Sequence, residues 1–490
     1  MEGGLGLAKL IIPQIPSLTN KAVWHTFGMT QGASKWDLRT ELTIQVLRYM
    51  MGGAGRRKPA PISKVQGVTL KDPGIKGKMW IAKATIKAPA PDEESLREAV
   101  FKAVDEMSDG DVQYTKPGLI DMEVEWTGFR PSARKEDPLP EISENEKYQR
   151  LLAEPTRTSD TVILYFHGGA YYLCDPITHR AITSRLAKES HGRVCSVRYR
   201  LAPQAAFPSQ LLDAFMVYLS LLYPSEASMH DAIPAKYIVL GGDSAGGNLV
   251  FALVQFILQL HRTSSGTPKV LFNGKDVEVP LPAGASANSG WFDICRSMPS
   301  ITANVKYDYL PPPNHDDAVS RFPKEKIWPA DPPRGDLFCD LSLLDHPLAS
   351  PLAAESWKGS PPLFFITGEE MLADEDKVVA NRAVTQGVTV QYEEYEGMPH
   401  CFAMLLPFLS TSDRCIRSWG DFCRRCVEEP DGLTTIGTLI HAKTGKEEVL
   451  SLGNLTELTL EKVKEFMQDA KQRRIKGFEK EGEMMAKPTL

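Results

Sequence analysis

The sequence predicts an α/β fold with a mostly parallel central sheet and helices on both faces. Two observations carry that reading. Short apolar runs, "TVILYF", "RVCSVRY", "KYIVLG", "LFFITG" and "VTVQYEEY", recur from about residue 160, and stretches of helical length separate several of them. Strands that are apolar throughout are buried on both faces, as parallel strands covered by crossover helices must be. One of these runs also passes straight into a Gly-rich turn and then into the pattern "NLVFALVQFILQL", a strand–turn–helix unit.

Along the chain, residues 1–155 form a mixed extension. "WDLRTELTIQVLRYMMGG" has helical spacing and ends in a Gly pair, "KMWIAKATIKAP" alternates like an exposed strand and stops at Pro, and "APAPDEESLREAVFKAVDEM" reads as a loop followed by an amphipathic helix with an acidic start. The α/β core occupies 156–296 and 346–430. Between them, 297–345 breaks the alternation with the Pro-rich "YDYLPPPNHDD" and "WPADPPRGD", the texture of an inserted lid or cap. Residues 431–490 read as a hairpin and then a charged helix.

Composition excludes several classes. The 490 residues are 42% hydrophobic and 24% charged with net charge −6, which is globular. No block of Lys and Arg offers a nucleic-acid surface. The tail "KQRRIKGFEKEGE" mixes both signs and reads as a solvated helix face. Eight scattered Cys are too few for a disulfide scaffold, and Cys423 and Cys426 form a lone CxxC without a second pair at metal spacing. No metal or cofactor is expected. The start "MEGGLGLAKLIIPQIPSL" has an early Glu, no basic opening and two Pro in its apolar run, a poor signal peptide. Without an apolar run of about twenty residues, the expectation is a soluble, cytoplasmic protein with no transmembrane segment. Peripheral membrane contact through the N-terminal segment stays open. Oligomeric state is not encoded in any pattern.

The chemistry begins in "YIVLGGDSAGGNLV", where Gly242, Ser244 and Gly246 form G-x-S-x-G between a strand and a helix. That context makes the pattern a nucleophile elbow. The turn is so tight that small residues must flank the Ser, and the helix directs its positive end at a developing oxyanion. The bland alternative is a Gly-rich turn with an idle Ser; the strand, the helix and the extra Gly247 argue against it. Serine needs a base, and in such hydrolases the order is Ser, acid, His. Before the C-terminal region, His261 falls in the helix after the elbow, and His315 and His346 fall in or at the edge of the interruption. His400, in "YEGMPHCF", follows a strand at the sheet edge where a base is needed. "YFHGGAYYLCD" sets Gly168 and Gly169 after another strand. Their N–H groups, with that of Ala245, form the expected oxyanion hole. His167 reads as a loop-ordering residue rather than a second base.

Together, "HGGAYYLCDPITHR", "YRLAPQAAFP", "GDSAGGNL", "SPLAA" and "YEGMPHCF" resemble the hormone-sensitive-lipase-like branch of the α/β-hydrolases, the fold-3 group, in order and spacing over about residues 160–405. The resemblance implies a Ser–His–acid carboxylesterase, lipase or deacetylase, with a helical cap built from the N-terminal helices and a late insertion. The long terminal additions and "YDYLPPP" look like fungal members, including those found beside polyketide and terpenoid pathways. Two departures stand out: Ala170 replaces the third Gly of the family's HGGG, and "SGWFD" lacks a Pro that often precedes its Trp.

The family's acid motif resembles G-x-x-D-x-L-x-D-E. Here "ITGEEMLADED" is one residue shorter. Counting forward from Gly368 lands on Met371, which cannot serve; counting back from Asp374 and Glu375 lands on Glu370, whose longer side chain suits a shortened loop. Asp374 and Glu369 remain the rivals. Asp374, Glu375 and Asp376 would fall in the first turn of a helix, capping its N–H groups and complementing its dipole.

The expected reaction is attack of Ser244 on an ester carbonyl, with His400 as base and Glu370 orienting it. The substrate would be a small-molecule ester, a short acyl or acetyl group on a hydrophobic alcohol or natural product, with Tyr171, Tyr172 and Trp291 as wall residues. The rivals are an acyltransferase or cyclase on the same fold and a non-catalytic ligand receptor; a histidine in motif at 400 speaks against the receptor.

Overall fold

The computed structural model describes residues 12–51, 60–90, 93–312 and 322–486, with side chains to residue 480. The strands are β1 (Met79–Ile86), β2 (Met122–Phe129), β3 (Val162–Phe166), β4 (Arg193–Val197), β5 (Ile238–Asp243), β6 (Lys269–Phe272), β7 (Lys275–Glu278), β8 (Gly284–Asn288), β9 (Leu363–Gly368), β10 (Val390–Tyr395), β11 (Ile436–Ile440) and β12 (Glu447–Leu450). Ten of them form one sheet in the order β1-β2-β4-β3-β5-β8-β9-β10-β11-β12, and β6-β7 stands apart as a hairpin. From β4 through β11 every neighbouring pair is parallel; the edges β1-β2, β2-β4 and β11-β12 are antiparallel.

The longer helices are α1 (Ile15–Thr26), α2 (Leu38–Met50), α3 (Ile62–Thr69), α4 (Ser95–Glu106), α5 (Glu144–Leu152), α6 (Pro176–Glu189), α7 (Ser209–Leu222), α8 (Ala245–Thr263), α9 (Ala373–Thr385), α10 (Ser410–Glu428) and α11 (Leu460–Ala486). One large apolar cluster unites α4, α7 and α8 with one face of the sheet, and a second joins α6 and α10 to the other. The central β3 is buried along its whole length. Each apolar side chain of that size contributes about 1.5–3 kcal/mol when fully buried, so such strands carry the fold. Among the described residues no helix is long and apolar enough to cross a membrane.

The apolar runs singled out above are β3, β4, β5, β9 and β10. The central β8, "GASAN", has no such run because its neighbours leave room only for small residues. A Cβ on Gly284 would strike the Cys426 sulfur, and one on Gly247 would press on Ala287. This is the place of the CxxC: Cys423 and Cys426 are buried on the inner side of α10 as packing residues. The C-terminal hairpin does not stand apart, because β11 extends the main sheet beside β10.

Three distant segments meet over the C-terminal edge of the parallel strands. Ile62 of α3 and Trp328 of the Pro-rich insertion form a cluster with Tyr172, Phe322, Ile327, Leu337 and Phe478 of α11. Lys471 pairs with Asp345 at 2.5 Å, and Arg474 pairs with Asp336 and donates to the Ile294 carbonyl at 3.1 Å. That face of the tail is therefore turned inward and ion-paired, not solvated, because the insertion supplies carboxylates for it. His315 and much of "YDYLPPPNHDD" lie outside the described residues.

Candidate active site

Ser244 sits between β5 and α8 with φ 51° and ψ −120°, a conformation few non-Gly residues adopt. Steric exclusion explains the glycines around it. A Cβ on Gly242 would collide with the Gly246 backbone, and one on Gly246 would run into the Phe166 carbonyl of β3. The Ser244 N–H donates to the Asn288 carbonyl at 3.0 Å, and its carbonyl accepts from Asn248 at 3.0 Å and Trp291 at 3.2 Å. The hydroxyl is thus held at the edge where β3, β5, β9 and β10 all end.

His400 follows β10. Its Nε2 stands 2.9 Å from Ser244 Oγ. The next residue turns with φ 50° at Cys401, whose N–H donates to Ser289 Oγ at 2.9 Å. Ser289, in turn, donates its own N–H to Ile366 of β9 at 2.6 Å, so the end of β8 ties the histidine turn to its neighbours. His261 donates from Nε2 to the Val279 carbonyl at 2.9 Å, and His346 donates from Nε2 to the Val104 carbonyl at 2.9 Å; both are structural contacts.

Glu370 is wholly buried at the end of β9. Its Oε1 accepts from the Thr367 hydroxyl at 2.9 Å, and its Oε2 lies 3.2 Å from His400 Nδ1. The latter is an ion-pair contact whose N–H···O alignment falls short of a hydrogen bond; such links commonly tighten only with substrate bound. Burial works to lower the His400 pKa, but Glu370, and after it Asp308 and Asp243, hold it above its ordinary value. Burial also raises Glu370, against the pull of His400. Among the described residues Glu370 is the carboxylate that meets this imidazole. Glu369 is occupied elsewhere: it pairs with Lys35 and accepts from the Gly397 N–H at 3.0 Å.

The carboxylates of the following helix turn lie in α9 as expected, but they do not cap it. Asp374 accepts from Ser300 N at 2.8 Å, Glu375 from Asp293 N at 2.9 Å and Asp376 from Gly290 N at 3.3 Å. The loop 290–300 covers that turn, and its unpaired N–H groups take the carboxylates that a solvated helix would keep.

The oxyanion loop needs one correction. Gly168 does not offer its N–H to the site, because it donates to Asp243 Oδ1 at 3.1 Å. The left-handed residues of the loop are Gly169 at φ 112°, Ala170 at φ 51° and Tyr171 at φ 63°. Among the described residues the N–H groups of Gly169, Ala170 and Tyr171 in this loop, and that of Ala245 at the first position of α8, donate to no backbone carbonyl. Ala170, which stands where the family has its third Gly, adopts the positive φ that the Gly would, although Ala gives no sequence signal for it.

Asp243 organises this loop. It also accepts from the Tyr165 hydroxyl at 2.6 Å and contacts His179 Nε2 at 3.3 Å. Burial opposes its charge, but His179 and Tyr165 keep its pKa below the ordinary carboxylate value. His167 lies 2.7 Å from the Gly168 carbonyl through Nδ1 and stacks on Tyr199. Burial and neighbouring His179 lower its pKa to about 3, so it is a neutral buttress.

The wall residues divide. Tyr171 is a core residue: it is 1% exposed, stacks on Phe338 at 3.8 Å and donates its hydroxyl to Asn248 Oδ1 at 2.7 Å. The αL turn at 171 swings this ring inward, a reversal that alternation in sequence does not foretell. Tyr172 enters the cluster around Ile62 and Trp328, and Trp291 packs partly buried against Ile301, Met371 and Leu372 beside the acid loop. Asp308, also buried, accepts from Met371 N at 2.8 Å and so seats that loop from the insertion side.

A strand-to-helix serine with a histidine on its hydroxyl, at the carboxyl edge of this sheet, defines the α/β-hydrolase class. Residues 163–404 match the family model described as the alpha/beta hydrolase fold. An acetyl-hydrolase of Streptomyces hygroscopicus is 30% identical over 277 residues, 56% of this chain and 79% of that protein. A versiconal hemiacetal acetate esterase of Dothistroma septosporum is 27% identical over 242 residues, 49% of this chain and 65% of its own length. In solved structures, an esterase from the bacterial hormone-sensitive lipase family covers 80% of this chain and 99% of its own, with TM-score 0.51 and 23% identity, a likeness of fold. The chain belongs to the α/β-hydrolase family, hormone-sensitive-lipase-like in fold, and is a hydrolytic enzyme acting on carboxylic ester bonds.

Proposed function

We propose that this protein is a serine esterase that removes an acetyl or other short acyl group from a hydrophobic alcohol. The observation that carries the reading is the 2.9 Å contact between Ser244 Oγ and His400 Nε2, with Glu370 on the far nitrogen. His400 takes the Ser244 proton as the oxygen attacks the ester carbonyl. The N–H groups of Gly169, Ala170 and Ala245 receive the oxyanion. The alcohol leaves with the proton from His400. Water, deprotonated by the same imidazole, then releases the acid. Glu370 fixes the tautomer and stabilises the imidazolium.

The acetyl preference is supported by the names of two relatives, an acetyl-hydrolase and an acetate esterase. The second is named for an acetate ester of versiconal hemiacetal, and the alcohol proposed for this chain is likewise a bulky natural product. The apolar cap cluster around Tyr172, Trp328 and Ile62 begins two residues after Ala170 and would face the alcohol. A fluorophosphonate probe should label wild type and spare Ser244→Ala. A p-nitrophenyl ester series should favour acetate over longer chains; a maximum at octanoate or beyond would discard the short-acyl reading. Product analysis with an added alcohol acceptor separates hydrolysis from transfer.

A further inference from the structure

The segment from Lys35 to Arg48, ahead of the whole α/β core, touches the surroundings of both His400 and Glu370. Lys35 Nζ pairs with Glu369, the residue before Glu370, and stands 3.3 Å from Glu396 in the turn after β10. The Trp36 indole N–H donates to the Gly397 carbonyl in that same turn. Gly397 in its turn donates to Glu369 at 3.0 Å, and a Cβ on Gly397 would strike the Lys35 stem. The acid loop and the histidine turn are therefore bridged to each other, and the bridge is closed by Lys35 and Trp36.

The same segment grips the insertion. Lys35 lies 4.5 Å above the Tyr307 ring, and Trp36 meets that ring edge-on at 5.8 Å. Thirteen residues on, Arg48 donates to the Asp308 carbonyl at 2.8 Å and to the Lys306 carbonyl at 2.6 Å. Asp308 in turn holds Met371 N at 2.8 Å, and Asn304 donates to the Glu370 carbonyl at 2.9 Å. Glu370 is thus approached from both sides by contacts that run back to this arm.

We propose that Lys35, Trp36 and Arg48 form a positioning clamp that sets the distance between Glu370 and His400, so that the N-terminal arm governs turnover without touching substrate. The proposal rests on the Ser–His–Glu reading above. Glu370, Asp308 and Asp243 face His400, with Tyr309 and Cys401 beside it; Glu370 is the strongest of the charges that favour the imidazolium. Loosening the clamp weakens that support and lowers the His400 pKa. Deleting the Lys35 charge through space alone would do the opposite, since removing a cation favours the imidazolium.

The test is Lys35→Met and Trp36→Phe in the full chain, with Lys35→Arg as rescue and Lys462→Met, an exposed pair on α11, as control. The expected result is a kcat lower by about tenfold to a hundredfold, KM within about twofold, and an acid limb of the kcat/KM profile moved to lower pH; in Lys35→Met this comes at unchanged Tm and is restored by Lys35→Arg, whereas Trp36→Phe also lowers Tm because Trp36 is buried. An unchanged kcat, an acid limb that stays or moves upward, or a loss in Lys35→Met that tracks Tm would overturn the clamp. Wild type that hydrolyses esters and labels at Ser244 while the variants behave like it defeats the clamp alone; wild type that fails to label defeats the underlying mechanism.

Discussion

The nucleophile turn and the acid loop end neighbouring parts of the same sheet edge, yet they are built in opposite ways. Ser244 is placed by its immediate neighbours: Gly242 and Gly246 are small because the turn and the β3 backbone leave no room for a Cβ. Glu370 is placed by residues far away in sequence, including Asp308, Asn304 and, through Glu369, Lys35. The contrast shows why one half of a catalytic device is written as a motif and the other is not. Local sterics constrain residue type at fixed spacing, whereas a loop held by long-range bonds can lose a residue and keep its carboxylate in place.

Substitutions can break or sharpen this contrast. Ser244→Ala should lower kcat by about a hundred-thousand-fold or more, with the fold intact; substantial residual turnover at Ser244→Ala would remove the elbow from the mechanism. Glu370→Gln should cost about a thousandfold or more in kcat at near-native Tm. Because Glu370 helps hold the His400 pKa up, the remaining kcat/KM should keep its activity to lower pH than wild type. If Glu369→Gln gave the larger loss, the acid would have been assigned to the wrong neighbour.

Asp308→Asn tests whether the acid loop depends on its remote seat. The amide oxygen can still accept from Met371 N, although the amide nitrogen then replaces the oxygen that takes the Tyr309 and Leu310 N–H groups, so the loss should be about tenfold in kcat with little change in KM. Asp374→Ala should leave kcat within a few-fold and cost about 1–2 kcal/mol of stability through the lost acceptor for Ser300 N, measured by urea unfolding.

The smallest effect concerns pH. Burial raises the Glu375 and Asp376 pKa values well above the ordinary range, and one oxygen of each lacks a hydrogen-bond partner among the described residues. Folded chain therefore keeps protons that unfolded chain releases above about pH 4, and stability falls as pH rises from there towards the raised folded values. Glu375→Gln should flatten this fall, read as a smaller drop in Tm between pH 5 and pH 8 than wild type shows.

Legibility followed the same division. The runs that became β3, β5 and β9 were visible because full burial demands apolar residues throughout, and the Gly-x-Ser-x-Gly turn was visible because no other residues fit. β8 was hidden, since close packing against α8 and α10 selects Gly, Ala and Ser, which carry no periodic signal. Tyr171 was misread for a related reason: a left-handed backbone sent its ring into the core. Gly168 reads as an oxyanion donor in sequence, but the Asp243 carboxylate, 75 residues away, takes its N–H.

By itself the sequence determined the α/β class, the strand that carries Ser244 and the turn that carries His400, because each rests on short-range burial patterns or backbone sterics. Only the tertiary structure decided which N–H groups stay available, how the first-turn carboxylates of α9 are used and how the N-terminal arm reaches the acid loop. Those features are hydrogen bonds and ion pairs between segments up to hundreds of residues apart, and a carboxylate or an N–H reads the same in sequence whichever partner it finds.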